Sequence, residues 1–424
     1  MLSLKFIQEN PELVVAKLKK KHFDASAIVK EITTLTAKKN ETQATADKYK
    51  AEMNKISKEV GSLMREGKKD EAEAAKIRTA ELKESIKQLD EDFARIDQDV
   101  FALQVLLPNI PADIVPEGHS AEENLVVKRS GEIPVLPENN IPHWDLAKKY
   151  DIIDFELGVK ITGAGFPVYK GKGARLQRAL INFFLDEARN SGYLEIQPPY
   201  VVNEDSGFGT GQLPDKEGQM YHATADNLYL IPTAEVPVTN IYRDVIVEAK
   251  DLPIKNTAYS ACFRREAGSY GKDVRGLNRL HQFDKVEIVQ IAHPEKSYQI
   301  LDEMVAHVSG LVDKLELPYR IVRLCGGDMS FTSALTYDFE VFSAAQEKWL
   351  EVSSVSNFES FQANRLKLRY RDEVTKKPVL AHTLNGSALA LPRIVAALLE
   401  NNQTPNGIRI PKVLIPYCGF DMID

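Results

Sequence analysis

Residues 262–287, CFRREAGSYGKDVRGLNRLHQFDKVE, hold the densest set of groups in this chain that could act on a charged substrate. Arg264, Arg265, Lys272, Arg275 and Arg279 give it five cations, and Gly268, Gly271 and Gly276 leave the backbone between them free to turn. Guanidinium forks on a supple connection suit closure over a polyphosphate, so the stretch predicts a nucleotide site. The flanks read as strands. Residues 257–263 are short and aromatic, and 283–291 alternate polar with apolar as a half-buried strand would. A solvated hairpin would have a similar composition, since exposed charges are common, and only the order of the residues separates the two.

That order is informative. Phe263-Arg264-x-Glu266 resembles motif 2 of the class II aminoacyl-tRNA synthetases, and His281-Gln282-Phe283 resembles the seryl-tRNA synthetase version of it. The resemblance continues through Thr233-Ala234-Glu235, Glu287, Glu351-Val352-Ser353-Ser354 and the run from Gly386 to Arg393. It implies an enzyme that joins serine to ATP as an adenylate and passes the seryl group to the 3′ end of serine tRNA. Whether selenocysteine tRNA is also charged stays open.

The resemblance also implies roles. Arg264, the motif 2 arginine, would bridge the α-phosphate and the serine carboxylate, because a planar guanidinium can satisfy two oxygens. Arg393, the motif 3 arginine, would hold the γ-phosphate from the first turns of a helix, where the macrodipole also favours anions. Glu266 would read the adenine amino group and Phe283 would face the base. Arg265, Val352 and Ser353 fall within the same ATP-binding motifs. Glu351 and Ser354 would be hard oxygen ligands for Mg²⁺. Thr233, Ala234, Glu235, Glu287 and Ser387, with Arg264, match the serine-binding positions, and which glutamate takes the hydroxyl and which the ammonium is left open. A pocket that hydrogen-bonds the substrate hydroxyl rejects analogues lacking it, so no editing module is required for that discrimination, and none is evident.

The elements that must position these groups fall into two regions. From Ile28 the positions 28, 32, 35, 39, 42, 46, 49, 53, 56, 60 and 63 step by four and three, and nine of these eleven are apolar. This heptad seam stops at Glu66-Gly67-Lys68-Lys69 and resumes from Ala75 to Leu103. Two such helices joined by a tight turn run antiparallel. Each reaches on the order of 57 Å, so the hairpin is expected to project as an arm. A coiled coil by itself specifies only a partner helix. Residues 26–65, however, carry eight basic and five acidic residues against five and ten in 70–100, so one helix could face phosphates. The resemblance implies that this arm holds the long variable arm of serine tRNA. Ahead of it lies a short helical lead-in, with Pro11 at a helix start and a basic cluster at Lys17, Lys19, Lys20 and Lys21.

Residues 108–142 are rich in Pro, Asn, Glu and Gly and read as a linker with an irregular continuation. The amphipathic run 174–188, the glycine stop at Gly192 and a strand ended by Pro198 and Pro199 resemble motif 1, which implies a homodimer interface. A helix is predicted over 296–314, a strand end at 349–354 and a last long helix over 387–401. Gly163-x-Gly165, Gly171-Lys172-Gly173 and Gly207-x-Gly209-x-Gly211 read as loops, since the strand-before, helix-after context of a phosphate loop is lacking. The fold class is therefore α+β: an antiparallel sheet flanked by helices over 143–424, a helical coiled-coil arm for tRNA over 1–105, and a linker over 106–142 between them.

Composition fits. A chain of 424 residues can bury cores for two or three domains without disulfides. Cys262, Cys325 and Cys418 lack paired spacing, and no apolar run is long enough to span a bilayer, so a reducing, cytoplasmic setting is expected. The net charge of −7 speaks against nucleic acid only as a sum, for residues 1–105 hold 20 basic and 19 acidic residues. Three rivals remain: a carrier-protein aminoacylating ligase, which would not need the arm; a catalytically silent paralogue, which would not need Arg264, Glu266, Glu351 and Arg393 together; and a coiled-coil interaction protein, which would not bind ATP.

Overall fold

The computed structural model describes residues 1–215, 218–267 and 275–424 and divides into two compact units, Met1–Lys19 with Phe23–Pro108 and Lys20–His22 with Asn109–Asp424. Gly268, Gly271 and Lys272 of the predicted closing loop lie outside the described residues.

In the first unit, Ser3 caps the helix Leu4–Glu9, Pro11 opens the helix Pro11–Leu18, and two long helices follow, α1 (Ser26–Arg65) and α2 (Lys69–Leu106). They turn back on each other at Gly67, whose φ of +77° suits a residue without Cβ. Every position of the predicted seam from Ile28 to Leu63 is buried or half-buried. Ile32 and Ala46 of α1, with Leu82, Ile86, Ile96 and Val100 of α2, are its best-buried members. The polar seam residue Lys39 lays its ammonium 5.1 Å from the Phe93 ring centroid and pairs with Asp97. Lys50 with Asp90 and Arg78 with Glu52, each at 2.9 Å, confirm the antiparallel register. Such exposed pairs contribute little each, and the apolar seam holds the hairpin.

The second unit contains, in chain order, β1 (Leu125–Ser130), α3 (Gly171–Asn190), β2 (Leu194–Glu195), α4 (Glu204–Thr210), α5 (Glu235–Asn240), β3 (Ile254–Phe263) and β4 (Gln282–Ala292). Then come α6 (Ser297–Lys314), β5 (Tyr319–Arg323), β6 (Leu335–Ser343), β7 (Lys348–Glu359), α7 (Ser360–Leu366), β8 (His382–Ala390) and α8 (Leu391–Asn401). The eight strands form one sheet in the order β1-β5-β6-β7-β8-β4-β3-β2, antiparallel at every step except β2 beside β3. Leu176, Leu180, Phe183 and Phe184 of α3 share one continuous core with Leu301, Met304 and Val308 of α6, Ile394 and Leu398 of α8, and Val286, Ile288, Phe339 and Val355 of the sheet. Helix α3 ends where its apolar spacing ends, and the chain leaves through Gly192 at φ +82°.

Several expectations need correction. Strand β4 is not half-buried: Lys285 to Ala292 are buried throughout. Val286 and Ile288 face the main core, and Val289 faces Ala234 and Val238 at the α5 side. Residues 349–354 are the first half of a long strand, not its end. Ser387 to Ala390 finish β8 instead of opening the last helix, because they pair with β4, and Pro392 marks where α8 begins. The stretch from Asn109 onward belongs to the second unit and supplies its edge strand β1, with Val126 to Ser130 paired to Val322 to Tyr319. Two glycine clusters are helical. Gly173 lies in the first turn of α3, where a Cβ would stand 2.2 Å from the Ile152 carbonyl oxygen, and Gly209 sits in α4 against Leu366 and Asn240. Half of the basic cluster is structural, since Lys20 Nζ donates to the Val115 carbonyl (2.8 Å) and Lys21 Nζ to the carbonyls of Ser330 (2.8 Å) and Ser333 (2.7 Å).

Two helical glycines should respond oppositely to a methyl group. Gly61 of α1 has nothing within 4 Å of its Cβ position, so Gly61→Ala should stabilise the hairpin by about 1 kcal/mol, read as stronger amide-exchange protection around it. Gly173→Ala must move the Ile152 backbone and should cost about 1–3 kcal/mol in chemical denaturation.

Candidate active site

Two register shifts shape one face of the sheet. Opposite β6, Glu340 pairs with Glu351 while Asp338 pairs with Ser354, so β7 spends three residues where β6 spends two. The extra residue returns Glu351 and Ser354 to the same face, which an unbroken strand would not do at that spacing. Opposite β4, Lys285 pairs with Ala390 and Glu287 with Ser387, again two residues against three, which brings Ser387 to the face of Glu287. Along β4 that face carries Phe283, Lys285 and Glu287 in order.

Thr233, Glu235, Glu287 and Lys285 make a buried pocket with two carboxylates and one ammonium. Lys285 Nζ lies 2.5 Å from Glu287 Oε2, and the Thr233 hydroxyl donates to the same oxygen at 3.3 Å while accepting from the Glu235 N–H at 3.2 Å. Gln362 of α7 donates to Glu235 Oε1 at 2.7 Å, and its own carbonyl is fixed by Thr383. Burial, with the Glu287 charge behind it, pushes the Glu235 carboxyl up to about 7 against the help of Gln362, Lys285 and Arg264. A pocket of this kind favours a ligand that brings a cation and a hydroxyl. Ala234 is in contact with the α5 core and contributes no polar group.

Beside the pocket, the half-buried Arg264 follows directly on β3; its N–H donates to the His281 carbonyl (2.9 Å) and its guanidinium lies 5.3 Å from the Phe283 ring centroid. The Arg265 N–H donates to Gln219, and its side chain is exposed. Glu266, at φ +52°, pairs with Arg279 at 2.8 Å, while Arg275 lies 4.7 Å over the Trp144 ring. Two of the loop's cations are therefore held by protein groups. Arg393, the third residue of α8, donates through Nε to the Asn278 carbonyl (3.0 Å) and through Nη1 to the Glu351 carbonyl (2.7 Å), with Glu351 Oε2 at 3.6 Å.

At the β6–β7 bulge, burial and the nearby Glu351 charge push the Asp338 carboxyl well above the usual range, and Asp338 Oδ1 is buried with no hydrogen-bond partner among the described residues. Glu351, Ser354 and Asp338 are hard oxygen donors around that orphaned atom, the set a divalent cation shared with phosphates would use. Val352 is buried in the core and Ser353 donates its hydroxyl to the Ser387 carbonyl at 2.5 Å, so neither side chain is offered to a ligand. Sequence reasoning had missed Asp338, Lys285 and Gln362. For Lys285 the signal was present, two residues from both Phe283 and Glu287 on one strand.

The N-terminal domain model of seryl-tRNA synthetase matches residues 1–111, and the class II tRNA synthetase core domain model (G, H, P, S and T) matches residues 220–402. The serine--tRNA ligase of Salinibacter ruber is 50% identical over 424 residues, with 100% of this chain and 99% of the relative covered. This chain belongs to the seryl-tRNA synthetase family. The serine--tRNA ligase of Chlorobaculum parvum is 46% identical, with both chains fully covered. Among solved structures of the family, seryl-tRNA synthetase from Pyrococcus horikoshii complexed with ATP superposes at a TM-score of 0.95 with 33% identity, covering 100% of this chain and 99% of that one. The cytoplasmic serine-tRNA ligase from Naegleria fowleri in complex with AMP superposes at 0.90 with 26% identity and the same coverage. The resemblance drawn from the motifs and the α+β fold expectation are both borne out.

Glu235 yields a pH test. Its folded value of about 7 exceeds the 4.5 of a free carboxyl, so the ligand-free fold carries no penalty below pH 4.5, a growing one as pH rises to 7, and a constant one above. Glu235→Gln should therefore raise Tm more at pH 8 than at pH 4.5, a difference that thermal denaturation at the two pH values reads directly.

Proposed function

We propose that this chain is a serine--tRNA ligase that forms seryl-adenylate from serine and ATP and then acylates serine tRNA. One observation carries the reading: a single face of β4 sets an aromatic ring, Phe283, beside Arg264 at one end and, four residues on, Glu287 of a buried acidic pocket completed by Thr233 and Glu235. A base platform and an ammonium-and-hydroxyl pocket joined by an arginine match the three parts of an aminoacyl adenylate.

A serine carboxylate oxygen attacks the α-phosphorus, the bond to the bridging oxygen breaks and pyrophosphate leaves. No proton has to be removed from the nucleophile, so the protein's work is positioning and charge stabilisation. Arg264 spans the serine carboxylate and the α-phosphate, and Arg393 takes the γ-phosphate with the donors its two carbonyl contacts leave free. Glu266 reads the adenine amino group. Glu235 and Glu287 hold the ammonium and hydroxyl, with Ser387 beside Glu287 in register. Glu351, Ser354 and Asp338 would hold a Mg²⁺ brought with ATP, which would supply further positive charge to the phosphates. The 3′-terminal hydroxyl of tRNA then attacks the acyl carbon and AMP leaves.

The remaining assignments belong to the same reading. The tRNA partner lies on the α1–α2 hairpin, whose α1 helix holds the basic surplus, and residues 143–424 carry the aminoacylation. The chain pairs with a second copy through α3 and β2, an edge strand whose Leu194 is 64% exposed. Cytoplasmic residence fits three free thiols, and no helix of the described residues is long and apolar enough to cross a membrane.

Pyrophosphate exchange against all twenty amino acids should respond to serine alone; a preference for any other amino acid would overturn the assignment. Arg264→Ala and Arg393→Ala should each lower it by about two orders of magnitude or more. Removing residues 51–89 and joining Lys50 to Asp90, which face each other across the hairpin, through a glycine turn should leave exchange intact. Charging of serine tRNA should fall sharply, with a shallower salt dependence, as a filter assay would show.

A further inference from the structure

The two-residue segment Leu277–Asn278 is held at both ends, by its first N–H and its last carbonyl, from one helix. Arg393 and Glu400 stand seven residues apart on α8 and so share a face. Arg393 Nε donates to the Asn278 carbonyl at 3.0 Å. Glu400 reaches the neighbouring N–H through an imidazole: Leu277 N–H donates to His143 Nε2 at 2.8 Å, and His143 Nδ1 lies 2.7 Å from Glu400 Oε1. Because Nε2 accepts, the ring proton is assigned to Nδ1, and the chain of donors runs one way from backbone to carboxylate.

Everything around this relay is closed. The His143 and Glu400 side chains are both 0% exposed. Glu400 Oε1 also accepts from the His143 N–H (2.9 Å) and from Gln346 (2.8 Å), whose carbonyl takes the Asn278 side-chain amide at 2.9 Å, while Ser343 donates to Oε2. Burial alone would raise the Glu400 carboxyl, but these bonds hold it below the usual range. Gly276 completes the fit, for at its φ of +65° a Cβ would stand 2.2 Å from His143 Nε2. A carboxylate buried this completely needs such bonds, and two of the groups that supply them, His143 and Gln346, lead on to Leu277 and Asn278.

We propose that His143 and Glu400 are positioning residues for ATP: they fix the Leu277–Asn278 segment from its Leu277 N–H, and through the Asn278 carbonyl they aim the Arg393 guanidinium. The pair never touches substrate. The serine pocket, built from Thr233, Glu235, Lys285 and Glu287, has no bond to it. Loosening the relay should therefore weaken the nucleotide side alone. This rests on the ATP-site reading above for the role of Arg393.

Exchange kinetics with His143→Ala should show the ATP KM raised about tenfold, with the serine KM within about twofold of wild type, the scale of a small misplacement of one phosphate ligand. Glu400→Gln keeps shape and one acceptor, should give a smaller shift in the same direction, and serves alone if His143→Ala does not fold. The deciding measurement is a double-mutant cycle with Arg393→Ala. In that background either substitution should change the ATP KM by less than about twofold, because the group being aimed is gone. Independent, multiplicative effects in the cycle, a serine KM rising in step with that for ATP, or an unchanged ATP KM in both folded single variants would overturn the proposal. ATP affinity by titration calorimetry separates the two readings. A wild type without serine-dependent exchange whose ATP affinity still falls tenfold in the variants would remove the ligase reading and keep the positioning pair.

Discussion

Strand β4 meets protein on both faces, and its polar residues therefore have no water to fall back on. Lys285 and Glu287 of this strand satisfy each other, Thr233 opposite donates to Glu287, and Glu235 beside them is met by Gln362. Burial first, and the Glu287 charge second, push the Glu235 carboxyl up to about 7 against Gln362, Lys285 and Arg264. A site of this kind favours a ligand that brings an ammonium. The ladders to β3 and β8 on either side hold the strand in register, so the ring of Phe283 and the carboxylate of Glu287 keep a fixed separation.

Much of this was legible in the residues. The seam from Ile28 to Leu103 is periodic over many turns, and the amphipathic stripe of α3 and the paired β3 and β4 follow from local pattern. What failed has physical reasons. Ser387 to Ala390 are small and apolar, a set that fits a strand or a helix turn equally, and only pairing with β4 decides. Strand β1 hides among prolines and glycines because an edge strand needs only one partner. Gly173 and Gly209 read as loop residues, whereas each lies in a helix and serves a close approach that only the folded chain reveals.

Partners distant in sequence are the other loss. Nothing local marks His143 as the neighbour of Glu400, 257 residues on, nor Asp338 as part of the carboxylate group at Glu351. Motif matching recovers residues that act on ligands and passes over those that hold them, since a holding residue is recognised only by what it touches.

The two bulges carry a consequence for how such a chain can change over time. Side-chain type at most positions of β7 and β8 could drift while the site survived, but the count of residues between Glu351 and Ser354, or between Ser387 and Ala390, could not. Loss or gain of one codon there inverts the parity of the strand and turns a ligand-facing oxygen into the core. Lineages carrying this fold should therefore accept substitutions in these segments far more readily than insertions or deletions, with length as the inherited quantity.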